Sequence, residues 1–546
     1  MEIPLRKIFF TLPFVSYFAF FISAQAADLS IVQVTRVENT YQESQIDSKF
    51  PEDDPTTRIY AQSRRVFKAY RGRGTMLVEN HGALHAEVYI NGKQVSIQEA
   101  LTVPQGKMKI DIGEYTVDGD NALKVLQISP AGAYINVKIL YPELTIGSPA
   151  EVGFSEKKLA KVDALIQEDV AKGFPGAVLL IVKDGKIVKN TAYGWQKKYE
   201  GDMLLAKCQP MTPDTLFDLA SNTKIYATVF AMMKLTSEGK VNPEERVSAY
   251  LPGFTGEGRD EIKIRDIMAH SAGFAPEIKF FDSHKSGEFY SLDRAATLKL
   301  IEKAPLVYPI GTQTVYSDTD YILLGAIIEH ITGQRLDDYV EKNIYRPMGL
   351  THTLFNPLQK GFKKEQFAAT ERNGNTRDHQ VYFPNIRDYT LQGEVHDEKA
   401  YYSLGGVSGH AGLFSRAQDL AVLAQVILNG GGYGGYKLCD QSTVTYFTKP
   451  TDHDKEIGLG WNKGGNKDTI FEFGPYASDQ VIGHTGWTGI DSCIDPKHDM
   501  AIILLTNRVH APSMPGDVDR FFTSNFETGK YGSVISLVYE ALLEKE

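Results

Sequence analysis

The chain has 546 residues, of which 42% are hydrophobic and 23% charged, with a formal net charge of -10. This length exceeds what one hydrophobic core normally serves, so two or three folded units are expected, and the composition is that of an ordinary globular protein. The acidic balance argues against a nucleic-acid partner, which a basic surface would signal.

At the start, Arg6 and Lys7 precede an apolar run over 8–22, followed by Ala24, Gln25 and Ala26. A basic start, a short apolar stretch and small residues at a cleavage position are the layout of a secretory signal. The run is about 15 residues, short of the roughly 20 that span a bilayer. Residues 1–26 are therefore expected to be a cleaved signal peptide and the mature chain to be exported to the periplasm. The alternative is an inner-membrane protein anchored by an uncleaved segment. The three cysteines, Cys208, Cys439 and Cys493, form neither a disulfide framework nor a metal-binding C-x-x-C pair, and read as isolated thiols.

Residues 27–145 carry short alternating segments at 75–79, 84–90, 107–112, 123–128 and 134–140. Asn91 and Gly92 make a tight-turn signal, because both tolerate positive φ. Several short strands at this spacing predict a small all-β sandwich. A basic cluster of Arg58, Arg64, Arg65, Lys68, Arg71 and Arg73 accompanies them. It is either a solvated face or a surface for peripheral contact with lipid headgroups or cell-wall carboxylates.

After Gly147, Ser148 and Pro149 the pattern changes, and 146–546 reads as a second unit. Ser155 caps a predicted helix over 157–170. Strands at 177–182 and 187–193 flank a hairpin turn at Asp184 and Gly185. A helix-rich middle runs from about 221 to 435, strands return at 481–491 and 500–507, and a last helix lies near 534–543. Ser415 and Gln418 read as a capping box opening a helix that stops at Gly430, Gly431 and Gly432. Strands at both ends with helices between predict an α+β fold: an antiparallel sheet flanked by helices, with an inserted helical subdomain.

The chemistry centres on Ser221, placed where an extended run over 216–219 gives way to a helical pattern. A serine in the first helical turn lies near unpaired N–H groups and the positive end of the dipole. Lys224 is one turn on and on the same face. A buried lysine loses proton affinity, and its neutral form can accept the serine proton. A second S-x-x-K spacing, Ser155 to Lys158, reads as a helix cap. Two further motifs follow in order: Tyr316, Ser317 and Asp318 before a helix, then His484, Thr485, Gly486 and Trp487 opening the returning strand.

These motifs resemble those of the serine β-lactamase and penicillin-binding protein family: S-x-x-K, then Y-x-N, then K-T-G. The resemblance runs from about Gly147 to the C-terminus and includes the segments 264–273 and 405–413. Segments 373–377, 383–387 and 395–400 carry a closer likeness to its low-molecular-mass D-alanyl-D-alanine carboxypeptidases. It implies Ser221 as the acylated nucleophile, Lys224 as its proton partner and Tyr316 as a second base, kept as phenolate by nearby cations. The N–H groups of Ser221 and Trp487 would form the oxyanion hole. Gly486 would let the strand approach the substrate closely, and Thr485 would bind its terminal carboxylate. Two residues depart from the pattern. Asp318 stands in place of Asn and could hold Lys224 charged. His484 stands in place of Lys, a carboxylate anchor whose charge would change near about pH 6–7.

The implied activity is a serine-type D-alanyl-D-alanine carboxypeptidase acting on peptidoglycan stem peptides, with β-lactams as mimics. The alternatives are an esterase or class C-like β-lactamase on the same scaffold, or a peptidoglycan-binding or sensing protein with little turnover. His270 and His410 read as structural. His396, Asp397 and Glu398 resemble part of a metal set without the matching spacing, so neither metal nor cofactor is expected.

Overall fold

The computed structural model describes residues 34–38, 65–102, 105–130, 133–464 and 469–542. The expected signal segment, Arg58 and Arg64 lie outside the described residues. Among the described residues no helix is long and apolar enough to cross a membrane.

The N-terminal alternation folds as two four-stranded sheets. One is ordered β1 (Val34–Glu38), β8 (Tyr134–Ile139), β3 (Thr75–His81), β6 (Lys107–Asp111). The other is ordered β2 (Arg65–Ala69), β7 (Gly119–Ser129), β4 (His85–Ile90), β5 (Lys93–Val95). Every second residue turns inward: Met76 and Val78 from β3 meet Val88, Ile90, Val125 and Val137 in one core. The Asn91–Gly92 turn joins β4 and β5, both residues at positive φ as expected.

Not all of the basic cluster faces water. Arg73 turns toward the larger unit, donating from Nη1 to Thr145 Oγ1 at 2.6 Å and to the Gly185 carbonyl at 3.0 Å. Tyr70 reaches Asp499 at 3.2 Å and receives a bond from Gln425 at 3.0 Å. Arg71, by contrast, pairs with Asp118 in the open, where such pairs contribute little.

The larger unit opens on α1 (Glu156–Lys172), whose N-cap Ser155 accepts from the Lys158 amide. β9 (Gly176–Lys183) and β10 (Lys186–Glu200) form the expected hairpin, with Asp184 and Gly185 both at positive φ in its two-residue turn. β10 continues into β11 (Met203–Pro210). The remaining strands arrive late: β12 (Asn462–Lys463), β13 (Ile482–Gly486), β14 (Ile490–Asp495) and β15 (Met500–Thr506). The sheet order is β11-β10-β9-β15-β14-β13-β12, so the early hairpin is completed by strands from the far end of the chain. Behind it α1 packs with α5 (Gly532–Ala541) around Val162, Ile166, Leu179, Leu504 and Val538.

The other face carries the inserted helices. A wide π-helical turn, Lys224–Val229, runs on into α2 (Phe230–Ser237), which is apolar on nearly every side and buried. α3 (Asp318–Thr332) and α4 (Ala417–Leu428) pack around it in the largest core. α4 is capped by Arg416 without a side-chain bond, not by the expected Ser415 box. Ser415 instead ends a short strand and bonds Thr353 at 2.8 Å.

Candidate active site

Ser221 lies at the junction of these layers. The strand Phe217–Asp218 leads into Ala220, a non-glycine residue at φ 44°. That strained turn is held by Asp218, which accepts from the Ala220 amide at 2.9 Å and the His396 amide at 2.6 Å. The next residue, Ser221, is thereby aimed out of the sheet toward α3.

Two predicted residues converge on it, and a third, Asp318, stands behind Lys224. The Tyr316 hydroxyl donates to Ser221 Oγ at 2.7 Å, and the Lys224 ammonium donates to the same oxygen at 3.1 Å. Lys224 Nζ also donates to Asp318 Oδ1 at 2.7 Å and to the His410 carbonyl at 3.3 Å. Three acceptors match the three protons of an ammonium. Asp318 is the first residue of α3, where the positive helix end favours its charge.

The electrostatics differ from the expectation of a neutral lysine base. Burial pulls Lys224 toward neutrality, but the Asp318 carboxylate outweighs it and holds the ammonium above its ordinary value. Burial likewise opposes an ionised Asp318, yet Lys224 and Lys399 hold that carboxyl well below its usual range. Nor is Tyr316 a resting phenolate. Desolvation raises it above its ordinary value, the Lys224 ammonium pulls the other way and Asp318 adds to the rise. The ring is 44% exposed, so water tempers that shift. The resting proton inventory is therefore a phenol, an ammonium and a carboxylate.

His484 also departs from the expectation. It is buried, and desolvation followed by the Lys224 ammonium pushes its imidazole down to about 4 rather than leaving it to titrate near neutrality. Its Nδ1 donates to the Thr485 carbonyl at 2.6 Å. Gly486 serves a close approach within the chain itself. A Cβ there would stand 2.5 Å from the Leu219 carbonyl, so β13 crosses the backbone leading to Ser221 and tolerates no side chain. Asn222 donates to the His484 carbonyl at 2.9 Å, tying the serine turn to the same strand. Thr485 is partly exposed on it.

Trp487 follows at the end of β13. His396 stacks on its ring at 4.5 Å, the Arg377 guanidinium lies 4.6 Å from its centroid, and Phe521 meets its edge at 5.5 Å. Arg508 donates to its carbonyl at 2.9 Å. The backbone predicted to face the developing oxyanion is thus clamped on several sides.

The run His396, Asp397 and Glu398 divides its labour. His396 bonds Glu371 at 2.5 Å beneath Trp487, Glu398 pairs with Arg377 at 2.9 Å, and Asp397 accepts from His410 at 2.8 Å. Asp318, Asp397 and His410 each bring a donor atom within 4.8 Å of the others, as a metal site would. The Lys399 ammonium lies 3.2 Å from both carboxylates and already supplies the cation they need, so no ligand role is assigned to them. His270 packs its ring 4.8 Å from that of Tyr316 and bonds Asp320 at 2.9 Å. Burial pushes this imidazole well below its ordinary value and the Asp320 carboxyl well above its own. Sequence reasoning missed Lys399, Glu277 and Asp320.

With this geometry in view, the family follows: residues 162–520 match the sequence model described as Beta-lactamase, and the chain belongs to that family. It is a serine hydrolase. The "N-acetylmuramyl-L-alanine amidase" of Bacillus subtilis (strain 168) is 51% identical over 420 residues, covering 76% of this chain and 94% of the relative. The "Putative D-alanyl-D-alanine carboxypeptidase" of Escherichia coli (strain K12) is 49% identical over 413 residues, covering 74% and 95%. In three dimensions the chain matches a penicillin-binding protein homologue from Caulobacter crescentus at a TM-score of 0.52 and 21% identity, covering 71% of this chain and 99% of that one. The last likeness speaks to the fold alone.

Proposed function

We propose that this serine hydrolase cleaves an amide bond of peptidoglycan through an acyl-enzyme on Ser221. The observation that carries the reading is the meeting of the Tyr316 hydroxyl and the Lys224 ammonium on one oxygen, Ser221 Oγ, at 2.7 and 3.1 Å. Loss of one proton from the Tyr316–Lys224 pair produces the base. Ser221 gives its proton to that pair as Oγ bonds the substrate carbonyl carbon, and the N–H groups of Ser221 and Trp487 receive the oxyanion. The carbon–nitrogen bond then breaks, the departing amine takes the proton, and water releases the acyl group by the reverse relay.

Of the bonds available we favour the amide between the muramyl lactyl group and L-alanine. A D-alanyl-D-alanine carboxypeptidase must bind a carboxylate next to the scissile bond, and a buried, uncharged His484 is a weak partner for it. The name of the Bacillus subtilis relative points the same way. The D-alanyl-D-alanine bond is the second reading, supported by Thr485 on β13 and by the name of the Escherichia coli relative. The N-terminal basic, apolar and small-residue pattern fits export to the periplasm, where either substrate lies.

N-acetylmuramyl pentapeptide contains both bonds, so a single digestion tests the proposal. Release of the free pentapeptide, abolished in Ser221→Ala, is expected. Release of D-alanine alone would select the second reading, and an intact substrate would overturn both.

A further inference from the structure

Lys399 belongs to none of the motifs above, yet it is among the most enclosed charges in the molecule. It begins the turn Lys399–Ser403, and its side chain is only 6% exposed. Its Nζ stands 2.9 Å from Glu277 Oε2, 3.2 Å from Asp318 Oδ2 and 3.2 Å from Asp397 Oδ2. Asp318 spends its other oxygen on Lys224. The result is an alternating row, Lys399, Asp318, Lys224, that ends on Ser221 Oγ. Asp397 is braced from the far side by His410, whose other ring nitrogen meets Ser408 Oγ at 2.7 Å.

Two ammonium groups on one carboxylate repel each other, and that repulsion offsets part of the carboxylate's hold on either proton. Removing the Lys399 charge leaves the site one unit more negative, and every acid nearby then holds its proton more tightly. The groups facing the row are Glu277, Asp397, Glu398 and His410 around Lys399, and Tyr316, His270, Asp320 and His484 around Lys224. Of these, Tyr316 and Lys224 are the pair that must give up a proton before Ser221 can react.

We propose that Lys399 is a positioning residue of the Ser221 site: its buried ammonium, held by Glu277 and Asp397, offsets Asp318 and so limits how tightly Lys224 and Tyr316 keep their protons. This rests on the reading of Ser221 as the nucleophile. The Y-x-N pattern has an uncharged Asn where this chain has Asp318, and the Lys399 ammonium at 3.2 Å offsets the charge so introduced.

The test is the rate of Ser221 acylation by p-nitrophenyl acetate, followed by mass spectrometry across pH, in the natural chain, Lys399→Met, Lys399→Arg and the double variant Lys399→Met with Asp318→Asn. Lys399→Met should move the rising limb to higher pH, with about tenfold slower acylation at neutral pH for each unit moved. Lys399→Arg should stay near the natural limb, and the double variant should move back toward it. A limb that stays in place in Lys399→Met, or an equal loss at all pH that the double variant does not relieve, overturns the proposal. If Lys399→Met does not fold, Lys399→Gln carries the same expectation. Tyrosine 13Cζ resonances give a second readout independent of turnover, with Tyr316 assigned by its loss in Tyr316→Phe. Should Ser221 resist acylation altogether, the nucleophile reading fails. The Tyr316 titration then still decides the role of Lys399: an upward move in Lys399→Met supports it and no move refutes it.

Discussion

Lys224 and Asp318 meet at 2.7 Å in a site where the lysine side chain has no exposed surface. A charged pair there sets the protonation of the nucleophile's surroundings, and the most direct consequence is a pH dependence. Both Lys224 and Tyr316 are held above their ordinary values, and the competent form has one proton fewer than the resting form. Acylation should therefore rise with pH through and beyond neutrality, with an apparent pKa belonging to the pair. Asp318→Asn removes the anion that holds the lysine's proton, so the limb should move to lower pH. Stopped-flow acylation across pH checks this, and a limb unmoved by Asp318→Asn would remove Asp318 from the proton inventory.

Tyr316 touches Ser221 Oγ directly. Its replacement by Phe keeps the ring against His270 and removes only the proton relay, so acylation should slow by about 10²–10⁴-fold with the melting temperature nearly unchanged. Acylation kinetics and calorimetry on one preparation test both halves of the statement.

His484 stays neutral between about pH 5 and 8, so it should contribute no step to the profile in that range. His484→Lys restores the lysine of the K-T-G pattern. Digestion of N-acetylmuramyl pentapeptide should then shift toward D-alanine release. An unaltered product ratio would show that position 484 does not choose the bond.

Gly486→Ala should be more damaging than its size suggests. The added methyl meets the Leu219 carbonyl at 2.5 Å, and overpacking of this kind costs about 1–3 kcal/mol. Because Leu219 leads to Ser221, acylation should fall as well as stability. Chemical denaturation together with labelling by a fluorescent penicillin would measure the two losses separately.

The S-x-x-K pair was legible because three-residue spacing on a helix forces two side chains to one face. The Asp184–Gly185 hairpin was legible because its turn demands positive φ. The α+β plan followed from where the strand patterns sat. The state of the charges was legible only in part. Lys399 lies 122 positions from Glu277 in sequence and beside His396, Asp397 and Glu398, a run that resembles part of a metal set when read alone. Only the fold shows that this run is buried under Trp487 and α3. That Asp318 could hold Lys224 charged was legible from the motif, but Lys399 and the burial that keeps His484 neutral were not. The conformation of Ala220 was equally hidden, since its φ of 44° is imposed by Asp218 and the strand below.

The pairing of β9 with β15 joins Leu179 to Leu504 and Ile181 to Ile502. Segments so distant along the chain close slowly, after the local helices have formed. The strand bearing His484 and Gly486 is joined to the early hairpin only through β14 and β15. A chain interrupted before those strands carries the serine and lysine in sequence but has no assembled nucleophile. The nucleophile's surroundings thus depend on β14 and β15, strands that carry none of the three motifs.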